Sequence, residues 1–294
     1  MFFHTKQFQY NATPDAPDPI FAKQMQELLG GQWGEISVMM TYLFQGWNCR
    51  GPAKYRDMLM DTATEEIGHV EMIATMIARL LETSPVEAEQ AAEDGGVVGS
   101  VLGGGDTQEA ILNAAMNPQH AIVTGGGAAP SDSQGYPWNA RYTIASGNLL
   151  ADMRFNVTAE SQGRLQVARL YQLTGDSAVR DMFSFLLARD TMHQNQWLAA
   201  IEELEKDGLE ETPVPSNFPQ EREMSEVAYR FMNFSEGNES QEGRWASGPS
   251  KDGKGEFEYV AEPRAMGPQV AELAPPVEPR LYSTPKQPMP PASS

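Results

Sequence analysis

The chain has 294 residues, 40 acidic against 21 basic side chains for a formal charge of −19, 40% hydrophobic residues and a single cysteine. That charge offers no footprint for nucleic acid and repels anionic membranes and anionic substrates, whereas a small neutral substrate is unaffected. Cys49 alone excludes an intrachain disulfide and cysteine-built zinc or iron–sulfur sites, and the N-terminus MFFHTKQFQYN has no signal-like apolar run, the pattern expected of a cytoplasmic protein with no membrane partner.

Residues 1–18 form a polar lead-in marked by Pro14 and Pro17 and closed by Pro19. From Phe21 to Trp47, Met25, Leu28, Leu29, Ile36, Met39, Met40 and Leu43 recur at mostly helical spacing and predict one long helix. A turn at Arg50, Gly51 and Pro52 leads into a second helix from Ala53 to about Leu81, with Pro52 suited to its first turn. Residues 84–140 are a long loop, dense in glycine and proline from 94 to 139; so long a loop is unusual unless it is functional or structured by a neighbour. The glycine clusters lack the Gly-Lys-Ser/Thr ending of a phosphate loop.

A third helix is expected from Tyr142 to about Leu173 and, after the break at Thr174, Gly175 and Asp176, a fourth from Ser177 to about Lys206. Residues 19–210 then make an all-α, ferritin-like four-helix bundle: two helical hairpins joined by one long crossover between the second and third helices. Residues 211–294 hold a short helix over Gln220–Met232 and an extended tail, proline-rich from Pro263 to Pro291. Its apolar content is too low to fold alone, so it is left disordered or laid as an arm on another surface.

Two of the four histidines follow a carboxylate by three residues on predicted helices: Glu66 and His69 in EEIGH, Asp190 and His193 in RDTMH. Spacing of i and i+3 sends both side chains of a pair from one helix face toward a common point. The first and third helices each place a glutamate on a largely apolar face, Glu35 in GEISVMM and Glu160 in NVTAESQGR. Either kind of signal alone is commonplace, a surface pair or a helix-edge glutamate. Together they put an inward carboxylate on each of four helices and a histidine on two, and buried carboxylates are rare unless paired or bound to metal.

This is the dinuclear carboxylate pattern of ferritin-like bundles, with one departure. Asp190 is one methylene shorter than glutamate, so it is assigned to orient His193 as a hydrogen-bond acceptor behind the ring and not to reach the metal. Three carboxylates against two divalent ions leave one positive charge for a bridging hydroxide. Tyr42, two turns after Glu35, faces the same way as a donor to the site or as a core tyrosine. The sixteen methionines read as bundle packing, not as soft ligands.

The segments GQWGEISVMMTYLFQGW, TATEEIGHVEMIA, NVTAESQGRLQVARLY and ARDTMHQNQWLAAIEEL resemble the manganese catalase family along most of the chain, tail included. The resemblance implies two manganese ions per subunit, hydrogen peroxide as substrate, and disproportionation to water and dioxygen as the pair cycles between the dimanganese(II) and dimanganese(III) states. It further implies that Glu66 bridges the metals, that Glu35 and His69 complete one, and that Glu160 and His193 complete the other. Some members carry an arginine where this chain has Ala159. The resemblance also implies a homo-hexamer clasped by the tail from about Gly248.

Asp57 and Asp61, four residues apart and turned away from Glu66, read by themselves as a solvated acidic face. With Asn233, Ser235 and Gly237 in NFSEGN they resemble the oxygen ligands of a calcium site in some family members. The rival uses of such a bundle are a di-iron oxidase or iron-handling protein, since affinity alone does not select manganese over iron, and a non-catalytic spore-coat relative.

Overall fold

A computed structural model describes residues 3–82 and 123–266; most of the expected 84–140 crossover and of the proline-rich arm lies outside these. Pro19 opens α1 (Pro19–Gly30), and the Asp18 side chain caps it by accepting from the Phe21 amide. Then comes the first departure from expectation. The single helix predicted over 21–47 is two helices, with α2 running Glu35–Asn48. Residues 129–131 are the reason. Gln26 donates to the Ala129 and Ser131 carbonyls and accepts from the Ala129 amide. The Ser131 backbone lies so close to Gly30 that a Cβ there would stand 2.4 Å from its carbonyl oxygen. Gly31 and Gly34 then turn extended, and the Ser37 hydroxyl satisfies the Gly31 carbonyl at 3.0 Å. Glu35 thereby becomes the first residue of α2, where a helix N-terminus favours a carboxylate.

The remaining long helices follow the predicted boundaries closely. α3 spans Ala53–Leu80, α4 Leu149–Leu173 and α5 Ser177–Lys206. Only the start of α4 is later than the expected Tyr142. Gly147 takes φ +82°, and Asn148 caps the Ala151 amide at 3.0 Å, so the helix begins where its cap is. Asp176 caps α5 in the same way through Val179.

α2 packs along α3 and α4 along α5, and the two hairpins meet to form the expected four-helix bundle, with α1 against α3. Two apolar clusters fill it. Leu28, Met72, Met76, Met182 and Phe183 belong to one, and Tyr42, Leu59, Met153, Trp197 and Leu204 to the other. Each such side chain contributes roughly 1.5–3 kcal/mol on burial. On α3, α4 and α5 the two clusters are separated by the same short stretch, and that stretch carries Glu66, His69, Glu160, Asp190 and His193. A polar segment, residues 3–18, runs over α3. Gln9 donates to the Glu65 carbonyl, Tyr10 stacks on Phe185, and Asp15 binds the first amide of α5 at Ser177. None of the described helices is long and apolar enough to cross a membrane.

The described residues from 219 to 266 belong to a second unit. The helix expected over 220–232 is instead a 3-10 turn at 220–222, one helical turn α6 (Ser225–Ala228) and strand β1 (Arg230–Met232). With β2 (Ser247–Pro249) and β3 (Glu256–Val260) it makes a sheet of order β1-β3-β2, parallel between β1 and β3 and antiparallel between β2 and β3. The cause is pairing across 28 residues: Phe231 stacks on Tyr259 and Arg230 bonds Glu258 at 2.8 Å, cross-strand contacts that outweigh local helix preference.

Candidate metal centre

Each helix of the bundle delivers at least one candidate ligand to the same region. Glu66 and His69 come from α3, Glu160 from α4, His193 from α5, and all four are at most 4% exposed. Glu35, from the first turn of α2, keeps 12% side-chain exposure and marks the solvent-facing edge. The ligand atoms of Glu35, Glu66 and His69 lie within 4.8 Å of one another, and so do those of Glu66, Glu160 and His193. Glu66 is common to both groups. Its Oε2 is 2.6 Å from His69 Nδ1 and its Oε1 is 2.9 Å from His193 Nδ1. Glu35 Oε2 stands 3.8 Å from His69 Nδ1, and Glu160 Oε1 stands 3.5 Å from His193 Nδ1. Tyr42 donates to Glu160 Oε1 at 2.5 Å, and its ring packs against Trp197.

Burial, then the neighbouring Glu66 charge, pushes the Glu35 carboxyl up to about 8. Burial raises Glu160 as well. For Glu66 burial acts in the same sense, yet the two histidines outweigh it and hold this carboxyl well below the usual range. Burial disfavours charge on His69 and His193, but the carboxylates around them raise both far above an ordinary imidazole. The cluster is therefore a set of anionic and imidazole donors balanced by protons. Divalent cations can supply that positive charge instead. The two imidazoles and three carboxylates are a donor set that suits manganese or iron, and both rings turn Nδ1 inward onto the shared carboxylate. The residues fit a dinuclear site.

Asp190 is buried, its Oδ2 has no hydrogen-bond partner, and no hydrogen bond joins it to His193. Burial, then the charges of Glu35, Glu160 and Glu66, pushes its carboxyl well up. The position behind the rings, expected of Asp190, is taken by Glu65, which the sequence reading passed over. Glu65 Oε2 is 3.3 Å from His193 Nε2, and its Oε1 is 3.6 Å from His69 Nε2. The available signal was the doubled glutamate of EEIGH, since Glu65 is four residues, one turn, before His69. A buried amide pair was also missed: Gln45 and Asn156 exchange hydrogen bonds of 2.9 and 2.8 Å. Asn156 lies one turn before Glu160 on α4. Ala159 is 1% exposed and packs in the second apolar cluster.

Asp57 and Asp61 are exposed on α3. In the second unit, Asn233 Oδ1 accepts from the Ser235 amide and Asn233 Nδ2 donates to the Gly237 carbonyl at 2.9 Å, a turn closed by Gly237 at φ +86°.

The family model described as manganese containing catalase matches residues 1–292. A manganese catalase of Bacillus subtilis is 59% identical over 276 residues, 94% of this chain and 95% of the relative. One from Lactiplantibacillus plantarum is 48% identical over 288 residues, 96% and 99% of the two chains. The crystal structure of KatB, a manganese catalase from Anabaena, superposes with a TM-score of 0.67 at 26% identity, covering 90% of this chain and 100% of that one.

Proposed function

This chain belongs to the family of manganese-containing catalases, and we propose that it disproportionates hydrogen peroxide at two manganese ions held by Glu35, Glu66, His69, Glu160 and His193. The observation that carries this reading is the pair of buried ligand groups sharing Glu66. Two manganese ions held there would supply a two-electron couple between their divalent and trivalent states, which would let one peroxide be reduced to water and a second oxidised to dioxygen. Everything else is done by the protein. Glu66 turns one oxygen toward each histidine and would serve both metals. Tyr42 donates to Glu160 and so holds that carboxylate in one orientation. Asp190, with an unpartnered Oδ2 beside the cluster, is placed to take and return one of the two protons that peroxide loses on oxidation and gains on reduction. The apolar clusters on either side keep bulk water from the ligands. The bundle's iron-handling and non-catalytic alternatives are favoured by no feature of the site.

Metal analysis of the purified protein, run beside an oxygen-electrode assay with peroxide, tests the reading. The expected result is two manganese per chain and oxygen release without haem absorbance. Protein that holds only iron and stays inactive after loading with manganese overturns it. Calcium at Asp57, Asp61, Asn233, Ser235 and Gly237 and a hexamer joined by the tail rest on the sequence resemblance. Asp57→Ala combined with Asp61→Ala is expected to abolish calcium binding. Unchanged calcium content removes that site, and sedimentation of the native protein as anything but a hexamer removes the assembly.

A further inference from the structure

A histidine that gives Nδ1 to a metal must carry its proton on Nε2, and a buried N–H has to find an acceptor. The His69 and His193 Nε2 atoms are both buried and have no well-formed hydrogen bond. The same carboxylate faces both. Glu65 Oε1 lies 3.6 Å from His69 Nε2, and Glu65 Oε2 lies 3.3 Å from His193 Nε2. On its other side Arg189 grips both oxygens, Nε donating to Oε1 at 2.5 Å and a terminal nitrogen donating to Oε2 at 3.2 Å. Each Glu65 oxygen thus meets one arginine nitrogen and one histidine nitrogen. A planar guanidinium holds a carboxylate in this two-point manner where a lysine would offer a single charge.

We propose that Glu65, clamped by Arg189, is the positioning residue for both histidines, and that by serving one ring at each metal position it ties the two positions into a single binding unit. The inference rests on the dimanganese reading above. Three features argue for it beyond proximity. Glu65 comes from α3 and Arg189 from α5, so the clamp joins the two helices that supply the histidines. The ion pair is charge-neutral as a unit, so it supplies an acceptor to both rings without adding net negative charge to a centre that already holds three carboxylates. The Glu65 backbone is itself held, since Gln9 donates to its carbonyl at 2.9 Å. Acceptors behind metal-bound histidines fix the ring and raise its basicity, and losing one typically costs 10- to 100-fold in metal affinity or activity. A shared acceptor must cost both ions at once.

The test is manganese titration of metal-free wild type, Glu65→Gln, Arg189→Lys and Arg189→Met, each followed by metal analysis and by the electron paramagnetic resonance spectrum of the loaded manganous protein. Glutamine can accept from one ring but presents an amide N–H₂ to the other. Glu65→Gln is therefore expected to weaken both ions together, by roughly 10- to 100-fold, and to alter the spectrum of the coupled pair. Arg189→Met is expected to do the same, and Arg189→Lys to recover part of the loss. A clamp that merely braces the helices would instead lower the stability of the metal-free protein and leave the spectrum of the loaded pair unchanged. Wild-type titration and spectrum in Glu65→Gln overturn the proposal while leaving the dimanganese reading intact. So does the loss of one ion with the other held at wild-type affinity. If wild type itself binds no manganese, the reading beneath the proposal fails instead.

Discussion

Among single residues, the buried amides show most clearly how the site's surroundings are balanced. Gln45 and Asn156 satisfy each other, and Gln45 also donates to the Ile144 carbonyl at 3.0 Å. Removing one partner strands the other in a dry interior, which costs the full desolvation of that group, about 1–3 kcal/mol. Asn156→Leu is expected to lower stability by that amount. The double change Gln45→Leu with Asn156→Leu should cost less than the sum of the two single changes, because the stranded amide is gone. Denaturant unfolding of the metal-free protein measures the cycle, and strict additivity would show that the pair is not coupled.

For the elements, the contrast between two glycines tests why the predicted first helix is broken. An added Cβ at Gly30 meets the Ser131 backbone at 2.4 Å, whereas at Gly68 it meets the end of the Gln9 side chain at 2.2 Å. Backbone cannot move aside without disturbing 129–131, so Gly30→Ala is expected to cost about 1–3 kcal/mol or more. Gln9 can swing away. It gives up one hydrogen bond of about 1 kcal/mol, offset by roughly the same gain from alanine in a helix, so Gly68→Ala should be near neutral. Thermal unfolding of the two variants separates them. The segment 3–18 carries its own pH sensitivity. Hydrogen bonds from the Ser177 hydroxyl and amide hold Asp15 below its ordinary value of 3.8. A carboxylate depressed on folding stabilises above its unfolded value, and that contribution fades as pH falls through the folded one. Limited proteolysis is therefore expected to cut this segment more readily as pH falls below about 4, and Asp15→Asn should remove the dependence.

For the bundle as a whole, stability comes from apolar packing at both ends and the metals add to it by mass action. Free manganese at about 100 times the dissociation constant contributes about 2.7 kcal/mol if only the folded form binds. Stripping the metal with a chelator is expected to lower the melting temperature while leaving far-ultraviolet helicity at room temperature, because the two clusters flanking the ligands do not depend on it. Collapse of the helical signal on chelation would show that the centre, and not the packing, holds the bundle together.

The bundle was legible in sequence because its signals are local: the turn at Arg50, Gly51 and Pro52, the break at Thr174, Gly175 and Asp176, hydrophobic recurrence at helical spacing, and carboxylate-x-x-His pairs on a single helix face. The four inward carboxylates and two histidines followed from the same periodicity. Three features were not legible, and each is set by residues far apart in the chain. The break before Glu35 depends on 129–131 returning against Gly30. The β1 strand at Arg230–Met232 depends on a partner 28 residues later, which reversed a helical expectation. The carboxylate that faces both histidine Nε2 atoms is Glu65, where Asp190 was expected, because a side chain's neighbours depend on how α3 and α5 lie against each other. Local chemistry determines which residues are able to bind a metal, and only the packing of the helices decides what stands behind them.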